Sequence, residues 1–306
     1  MSKKYFLCSD IHSFYTPLMS GLIKKGFDRT NPEHVLVVLG DIFDRGFETL
    51  EVYNFLRSLP KDRLILIRGN HESLYLDLLK KKFPESHDFS NGTVRTFCQI
   101  AGFDEDVLRQ RYWFQKAILE EKEKLEQIGD DNPDFHARLH EDVWENKYWD
   151  MPQEMWQQIK ETVAMSDVTK WLQSDEWVDY FETPHYICVH SWIPVAYQYP
   201  FNYTQFPPEE VGYREDWRNA TKYEWEDATW GCPWRKAKSG WNKTGKTIIC
   251  GHWHTSDFFN NLTKQEKKQK DNNPVFKSKR YKLIGLDACT FLSNKVNVLV
   301  LDEDEI

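Results

Sequence analysis

The chain contains a series of short apolar runs, each of which ends abruptly in a polar or charged cluster. The clearest run is VLVVLGDIFDRG at 35–46, where five apolar residues in six precede Asp41, Asp44 and Arg45. Charged groups are costly to bury without a partner, so this cluster needs another charge, a metal or an anionic ligand. The same pattern recurs in KKYFLCSDIH, RLILIRGNHES, HYICVHSW, KTIICGHWH and YKLIGLDACTF. Their length and β-branched content predict buried strands.

Helical segments alternate with the first three of these strands. PLMSGLIKKGF and ETLEVYNFLRSL carry apolar residues at roughly helical spacing. Strand–helix–strand alternation predicts an α/β fold with a parallel or mixed sheet and right-handed crossovers. In such sheets ligands bind beyond the carboxyl ends of the strands, which is where the polar clusters fall.

The middle of the chain has a different composition. Residues 74–179 are charged, Trp-rich and poor in strand patterns, as in KAILEEKEKLEQIGDD. We interpret them as a helical insertion within a single domain of residues 1–306. Residues 197–240, rich in Pro, Tyr and Trp, are typical of a long functional loop.

Composition limits the class of protein. A net charge of −8 argues against nucleic acid as a partner. No apolar run approaches the length of a membrane span, and the N-terminus MSKKYFLCSD does not resemble an export signal. The six cysteines form no CxxC pair and are expected to be reduced thiols. These features predict a cytoplasmic protein without membrane contact.

The strand ends together supply metal-ligand chemistry. A single Asp or His after a strand is usually a helix cap or a satisfied polar residue, but here five strand ends each carry a carboxylate, an amide or an imidazole. Mixed oxygen and nitrogen ligands suit Mn²⁺, Fe²⁺ or Zn²⁺. Seven candidates exceed the needs of one ion, so we expect two ions that share a bridging carboxylate. The candidates are Asp10, His12, Asp41, Asn70, His190, His252 and His254.

The motifs that carry these residues resemble a known family. D-x-H, G-D-x-x-D-R-G, G-N-H-E, a strand-end His and G-H-x-H, in this order, are similar to the calcineurin-like metallophosphoesterase superfamily. GDIFDRG and RGNHES most resemble its phosphoprotein phosphatase branch, which includes bacterial and phage Ser/Thr phosphatases and diadenosine tetraphosphatases. The resemblance covers residues 5–73 and the strands around 190, 252 and 287. It implies a central β-sandwich of mixed sheets flanked by helices.

The resemblance also implies metal roles. Two divalent ions are expected, most simply Mn²⁺, with Fe or Zn as alternatives. Asp10 and His12 would hold the first ion, and Asp41 would bridge both. His254 would be a further ligand of the first ion, although the phosphatase branch often lacks this residue and a surface or supporting histidine is the alternative. The second ion would be held by Asn70, His190 and His252.

The remaining motif residues are implied to act on substrate. His71 would protonate the leaving group as a general acid, held by Asp44. Arg45 would bind phosphate oxygens. Arg235 is the candidate for a second phosphate-binding arginine, with Arg214, Arg218 and Lys236 as competitors. The implied reaction is direct attack by a metal-bridging hydroxide, without a covalent phosphoenzyme.

Several functions stay open at this point. The leading hypothesis is a dinuclear phosphomonoesterase of the protein Ser/Thr phosphatase type, acting on a phosphoprotein or a small phosphate ester. A diadenosine tetraphosphatase is the first alternative, and IGLDACT faintly resembles that family near its C-terminus. A phosphodiesterase on the same site is another alternative. A non-catalytic binding protein is the most remote alternative, because the ligand set is intact.

Overall fold

Two five-stranded sheets form the centre of the protein. The computed structural model describes residues 2–113, 150–198, 209–264, 268–269 and 271–306. The first sheet has the order β12-β1-β2-β3-β4, in which only the β12–β1 pair is antiparallel. Its strands are β1 (Lys4–Cys8), β2 (His34–Leu39), β3 (Leu64–Ile67), β4 (Trp177–Val178) and β12 (Leu299–Asp302).

The second sheet has the order β10-β11-β9-β6-β5, with parallel central pairs and antiparallel outer pairs. Its strands are β5 (Tyr180–Glu182), β6 (Tyr186–Val189), β9 (Thr247–Cys250), β10 (Phe276–Ser278) and β11 (Leu283–Gly285). A separate antiparallel pair is formed by β7 (Val195–Gln198) and β8 (Glu209–Tyr213).

The two sheets pack face to face, as the alternation of their side chains requires. Leu7 and Val37 of the first sheet share an apolar cluster with Cys188 and Ile249 of the second. Because successive side chains of a strand point to opposite faces, Phe6 lies on the outer face and packs against helices. Burial on both faces explains the continuous apolar runs. The predicted sandwich of mixed sheets flanked by helices is confirmed.

Helices connect and cover the sheets. Both predicted crossover helices are present, as Tyr15–Lys24 and Thr49–Arg57. Residues 105–113 are also helical, and short 3-10 helices occur at Lys61–Arg63 and Trp217–Asn219. The other helices are Asn70–Leu78, Ser86–Asn91, Thr93–Ala101, Asp150–Met165, Asp167–Leu172, Lys222–Ala228, Pro233–Lys238, Thr255–Leu262 and Thr290–Ser293.

The described parts of the segment interpreted as an insertion are mainly helical. They join the core on the outer face of the first sheet, where the buried rings of Phe97 and Trp156 stack with centroids 5.6 Å apart. Residues 114–149 of this segment, and 199–208 of the predicted long loop, lie outside the described residues. The single-domain interpretation and the insertion boundaries stay predictions.

Two further observations concern the environment of the protein. Within the described ranges, no helix combines the length and the apolar character that crossing a bilayer demands. The six cysteines all lie within the described ranges and form no disulfide, and five of them are buried. Thiols without disulfides agree with the predicted reducing environment, while the compartment itself stays a prediction.

Candidate metal centre

The carboxyl ends of strands from both sheets meet at one edge of the sandwich. Contacts link six of the seven predicted ligands there, and only His252 among these six is partly exposed. The six are Asp10 and His12 after β1, Asp41 after β2, Asn70 after β3, His190 after β6 and His252 after β9. Five segments that are distant in sequence therefore supply one site, as the strand-end pattern predicted.

The backbone at this edge is held in conformations that side chains rarely adopt. A left-handed conformation costs a non-glycine residue roughly 1–2 kcal/mol, and it persists only where surrounding contacts impose it. Such strain is concentrated in loops that aim functional side chains. Six site residues have a positive φ: Asp10 at 52°, His12 at 52°, Asp41 at 55°, Asp44 at 74°, Arg45 at 61° and His252 at 64°.

Two glycines permit the loops to approach one another closely. A Cβ on Gly69 would overlap the carboxylate and the backbone nitrogen of Asp41. A Cβ on Gly251 would overlap the carboxylate of Asp10. The glycines of GNH and GHWH are therefore required because another strand-end loop packs directly on them.

Asp41 lies at the centre of the cluster. His12 Nε2 lies 3.8 Å from Asp41 Oδ2, and His190 Nε2 lies 3.4 Å from Asp41 Oδ1. His71 Nε2 lies 3.9 Å from Asp41 Oδ2. Two groups of potential ligand atoms, each within 4.8 Å of one another, both include Asp41: one with His12 and His71, the other with His190 and His252.

These separations fit bound cations. The His12–Asp41 and His71–Asp41 distances of 3.8 and 3.9 Å exceed hydrogen-bond length. Ligand atoms about 2.0–2.2 Å from a shared ion lie at most about 4.4 Å apart, so the 3.8 Å between His12 and Asp41 leaves room for an ion but little more, whereas His71 keeps its predicted role as the acid. Imidazole nitrogens and carboxylate oxygens are also the donors that Mn²⁺, Fe²⁺ and Zn²⁺ accept. The residues present fit a metal centre in which Asp41 serves both halves.

Hydrogen bonds orient two of the histidines that are predicted ligands. The Nδ1 atoms of His12 and His190 lie 3.0 Å from the carbonyl of Phe43 and 2.7 Å from that of Leu39. These carbonyls can accept only from a protonated Nδ1, which leaves Nε2 of each ring directed at Asp41. His190 Nε2 lies 2.9 Å from Asn70 Oδ1, so the amide oxygen shares the same pocket.

The histidines dominate the electrostatics of Asp41. Burial alone would raise the pKa of its carboxyl, but the surrounding imidazoles of His190, His71, His12 and His252 hold that pKa below its usual range. Burial lowers the pKa of His252 to about 3, with a further contribution from His190. Neutral imidazoles and an ionised carboxylate are the forms that bind metal.

For Asp10, the effect of burial on the carboxyl pKa outweighs that of the neighbouring imidazole. Its carboxylate accepts the backbone N–H of His252 through both oxygens, at 3.2 and 3.0 Å. Burial raises the pKa of Asp10 to about 6, opposed by His190 and reinforced by Asp41. Two buried carboxyls this close need a positive counter-charge to be ionised together, which a cation supplies.

His71 and Asp44 form the predicted dyad. His71 Nδ1 lies 2.7 Å from Asp44 Oδ2, and both residues are buried. The hydroxyls of Thr93 and Thr96 donate to the two oxygens of Asp44 at 2.7 and 2.8 Å. Burial opposes protonation of His71, but Asp41 and Asp44 raise its pKa above the usual value. The dyad therefore presents an imidazole that favours the protonated form, with Nε2 facing the cluster.

Arg45 lies beside this imidazole. Its Nη2 is 3.3 Å from His71 Nε2, and its guanidinium stacks over the ring of Phe291 at 5.3 Å from the centroid. A guanidinium can donate only to a neutral imidazole nitrogen, so this contact is a hydrogen bond only while Nε2 of His71 is unprotonated. The structure thus places Arg45 beside the dyad, and its predicted binding of phosphate stays a prediction.

His254 is at the margin of the cluster. It is partly exposed, and its Nε2 lies 3.9 Å from Asp287 Oδ2. Asp287 is buried, and burial together with the nearby Asp10 raises its pKa to about 7. Among the described residues His254 therefore lies near Asp287 and outside the two ligand groups that contain Asp41, and its role as a ligand stays a prediction. Asp287 was absent from the predicted site, although IGLDACT ends a strand like the other motifs.

The candidate arginines of the late loop do not lie against the dyad in their observed contacts. Arg235 is exposed, with its guanidinium over Trp234 at 5.7 Å. Lys236 is buried and pairs with Glu210. Arg214 pairs with Asp216 and Glu224, and Arg218 with Glu182. The described contacts of Arg235 include none with the Asp41 cluster, and its phosphate-binding role stays a prediction.

Glu72 is a supporting residue that the predicted site lacked. Its carboxylate is buried and accepts three backbone N–H groups, from Asp41 at 3.0 Å, Ile42 at 3.0 Å and Gly69 at 2.7 Å. It therefore ties the loop after β2 to the loop after β3. Glu72 is part of the GNHE motif, but the sequence does not show which groups its carboxylate binds, because that depends on how the two loops approach each other.

The fold and the site define a metal-dependent phosphoesterase. Residues 3–161, slightly more than half of the chain, match the family model described as calcineurin-like phosphoesterase. The chain belongs to this family, which confirms the resemblance seen in its motifs. The matched segment includes the strand ends that carry Asp10, Asp41 and His71 but not His190 or His252.

Solved structures of phosphatases resemble the chain at low sequence identity. A cold-active protein-tyrosine phosphatase of a psychrophilic Shewanella species has 14% identity and a TM-score of 0.48, with 98% of this chain and 76% of that chain covered. A putative diadenosine tetraphosphatase has 16% identity and a TM-score of 0.45, with 98% and 90% covered. A protein serine/threonine phosphatase from Saccharomyces cerevisiae has 11% identity and a TM-score of 0.44, with 98% and 79% covered. Because these TM-scores are below 0.5, the assignment depends on the family model and the site.

Replacement of Glu72 by Gln should destabilise the protein. The amide keeps one oxygen, so at least one of three buried backbone donors loses its acceptor, which costs about 2 kcal/mol. Urea unfolding measures the change. Glu48→Gln is the matched control, because Glu48 accepts the backbone N–H of Thr16 at an exposed position, and we expect about 0.5 kcal/mol or less. Equal losses of stability in the two variants would contradict the role of Glu72 in joining the two loops.

Replacement of Asp41 by Asn should remove metal binding at both halves of the centre. The amide lacks the negative charge and the second ligand oxygen that a bridge needs. Elemental analysis after Mn²⁺ loading and gel filtration should find less than about half of the wild-type metal content. Asp77→Asn, at an exposed ion pair with Lys80, is the control. A variant that retains two ions per chain would refute the bridging role.

Proposed function

We propose that the protein is a dinuclear phosphomonoesterase of the protein Ser/Thr phosphatase type. The observation that supports this substrate type most directly is the buried His71–Asp44 dyad beside Arg45, at the edge of the Asp41 cluster. An alkoxide from serine or threonine is a poor leaving group and needs a proton as its bond to phosphorus breaks. A histidine whose pKa is raised by two carboxylates is suited to hold that proton.

The residues of this site have distinct proposed tasks. Asp10, His12 and Asp41 would hold one cation, and Asp41, Asn70, His190 and His252 the other, with His254 as a further candidate. When bound, two divalent ions would neutralise phosphate charge, polarise phosphorus and acidify water. We propose Mn²⁺ for both positions, with iron or zinc as alternatives, since the N/O ligand set accepts each of them.

The chain's own groups would complete the reaction. Arg45 would direct its planar N–H donors at phosphate oxygens, since the described residues offer its guanidinium no ion-paired carboxylate. His71 would give its Nε2 proton to the leaving oxygen, and Asp44 would stabilise the imidazolium while it is charged. Thr93 and Thr96 would hold Asp44 in place.

A diadenosine tetraphosphatase is the alternative on the same site. Its leaving group is a nucleotide phosphate, a weak base that departs with little need for a proton. The buried His71–Asp44 dyad, which could protonate a leaving alkoxide, therefore favours the monoester of an alcohol. A phosphodiesterase has no specific support, since no described feature favours a second ester group.

Hydrolysis by chelated and then Mn²⁺-reconstituted protein tests the proposal. The panel is p-nitrophenyl phosphate, phosphothreonine and phosphotyrosine peptides, diadenosine tetraphosphate and bis-p-nitrophenyl phosphate. Metal-dependent phosphate release, fastest from the phosphothreonine peptide relative to the other natural substrates, is expected. Preference for the dinucleotide or the diester would overturn the substrate type. An absence of turnover with every metal would overturn the enzymatic function and favour a binding protein.

Replacement of His71 by Asn should separate substrates by leaving group. The variant lacks the proposed general acid, so its turnover of the phosphothreonine peptide should fall ~10²-fold or more. Its turnover of p-nitrophenyl phosphate should fall far less, because nitrophenolate leaves without a proton. Metal content should stay as in the wild type. His87→Asn, at an exposed position of the helix Ser86–Asn91, is the control. Equal losses on both substrates would exclude His71 as the acid.

A further inference from the structure

Phe291 is a large apolar residue at the margin of the site with much of its surface in solvent. Its side chain is 44% exposed, in a short helix that follows the strand β11. The ring lies 6.3 Å from the imidazole of His254 and 5.3 Å from the guanidinium carbon of Arg45, measured between centroids and from centroid to Cζ. The ring therefore lies beside a guanidinium and an imidazole at the margin of the site.

The backbone of Phe291 is fixed to the metal-binding loops. The preceding residue, Thr290, donates its hydroxyl to the carbonyl of Asp10 at 2.8 Å and is fully buried. Cys289, at φ 54°, donates its N–H to Asp287 at 2.7 Å. The position of the ring is therefore set by the same loops that set the position of Asp10, rather than by a free surface turn.

Arg45 is held in an unusual way. Its backbone has φ 61°, and its carbonyl accepts from Arg95. In the described residues its guanidinium has no ion-paired carboxylate, and its contacts are with His71 and the ring of Phe291. The ring of Phe291 is therefore one of the two described contacts of this guanidinium.

A ring and a carboxylate would hold a guanidinium with opposite consequences. A carboxylate engages the N–H donors and cancels the charge, so fewer donors remain for an anionic substrate. A ring attracts the cation through its face, which leaves the in-plane N–H donors and the full charge available. The stack on Phe291 is therefore the arrangement expected of a guanidinium that must be ordered before phosphate arrives.

We propose that Phe291 is a positioning residue that orders the guanidinium of Arg45 for phosphate binding. This inference rests on the proposed function, because it assumes that the site binds a phosphoryl group. The ring acts on the bound phosphate only through Arg45 and takes no part in proton transfer. Its contribution is equal in the ground state and the transition state, so it should affect KM and not kcat.

The test uses Mn²⁺-loaded full-length variants and two probes, inorganic phosphate and p-nitrophenyl phosphate. Phe291→Leu should weaken phosphate binding in titration calorimetry by about 3- to 10-fold, the size of a partly exposed cation–π contact. KM for p-nitrophenyl phosphate should rise by the same factor, and kcat should change less than about 2-fold. Phe291→Tyr keeps an aromatic ring and should keep the phosphate affinity and KM near the wild-type values. Leu292→Ala, next to Phe291 in the same helix and 50% exposed, should also resemble the wild type.

A double-mutant cycle excludes a general structural effect. In an Arg45→Gln background, Phe291→Leu should weaken phosphate binding by less than about 1.5-fold, because the partner of the ring is gone. An equal effect in both backgrounds, or unchanged phosphate affinity in Phe291→Leu, would overturn the proposal. Phe291→Met is the second non-aromatic variant should Leu prevent folding. Wild-type protein that binds phosphate but hydrolyses no ester would contradict the proposed function alone, and the calorimetric cycle would still decide the role of Phe291.

Discussion

The burial of the Asp41 carboxylate is the constraint on which the site depends. An isolated carboxylate with 2% of its surface exposed would be strongly destabilising. Here it is surrounded by the imidazoles of His12, His71 and His190, and its Oδ1 accepts the backbone N–H of His71 at 3.0 Å. Nearby positive charge can offset the cost of burying this carboxylate, and cations beside it would supply that charge.

The two-sheet architecture is what brings Asp41 and the residues around it together. No single segment could supply them, since each strand end contributes one or two residues. A sandwich of two sheets with aligned parallel strands brings five such ends to one edge. The sharp turns that follow place Asp10, Asp41 and His252 in the left-handed region, and Gly69 and Gly251 let neighbouring loops touch. Glu72 holds two of these loops through three backbone bonds and so stabilises a strained arrangement.

Much of this could be predicted from the sequence because the signals are local. Continuous apolar runs show strands buried on both faces, and helix-period segments between them show the crossovers. In an α/β fold, polar motifs at the carboxyl ends of strands lie at the same edge of the sheet. The sequence alone therefore allowed Asp10, His12, Asp41 and His190 to be grouped. The family match confirmed the class of protein that these motifs indicated.

The remainder depends on contacts between distant segments that no local pattern specifies. Thr93 and Thr96 lie about fifty residues after Asp44, within the segment interpreted as an insertion, yet they hold that carboxylate. Tertiary packing alone brings Asp287 near His254. It also lets the hydroxyl of Thr290 donate to the carbonyl of Asp10. Arg235 illustrates the reverse case, since a basic residue in a plausible loop has no positional signal, and its observed contact is with Trp234.

A titration of metal-free wild-type protein with Mn²⁺, with bound metal and phosphate release from a phosphothreonine peptide followed together, tests the central claim most directly. The dinuclear account predicts that activity stays low while the first equivalent binds and saturates at two ions per chain. Full activity at one ion per chain, or activity that is indifferent to metal, would contradict a centre built on both sides of Asp41.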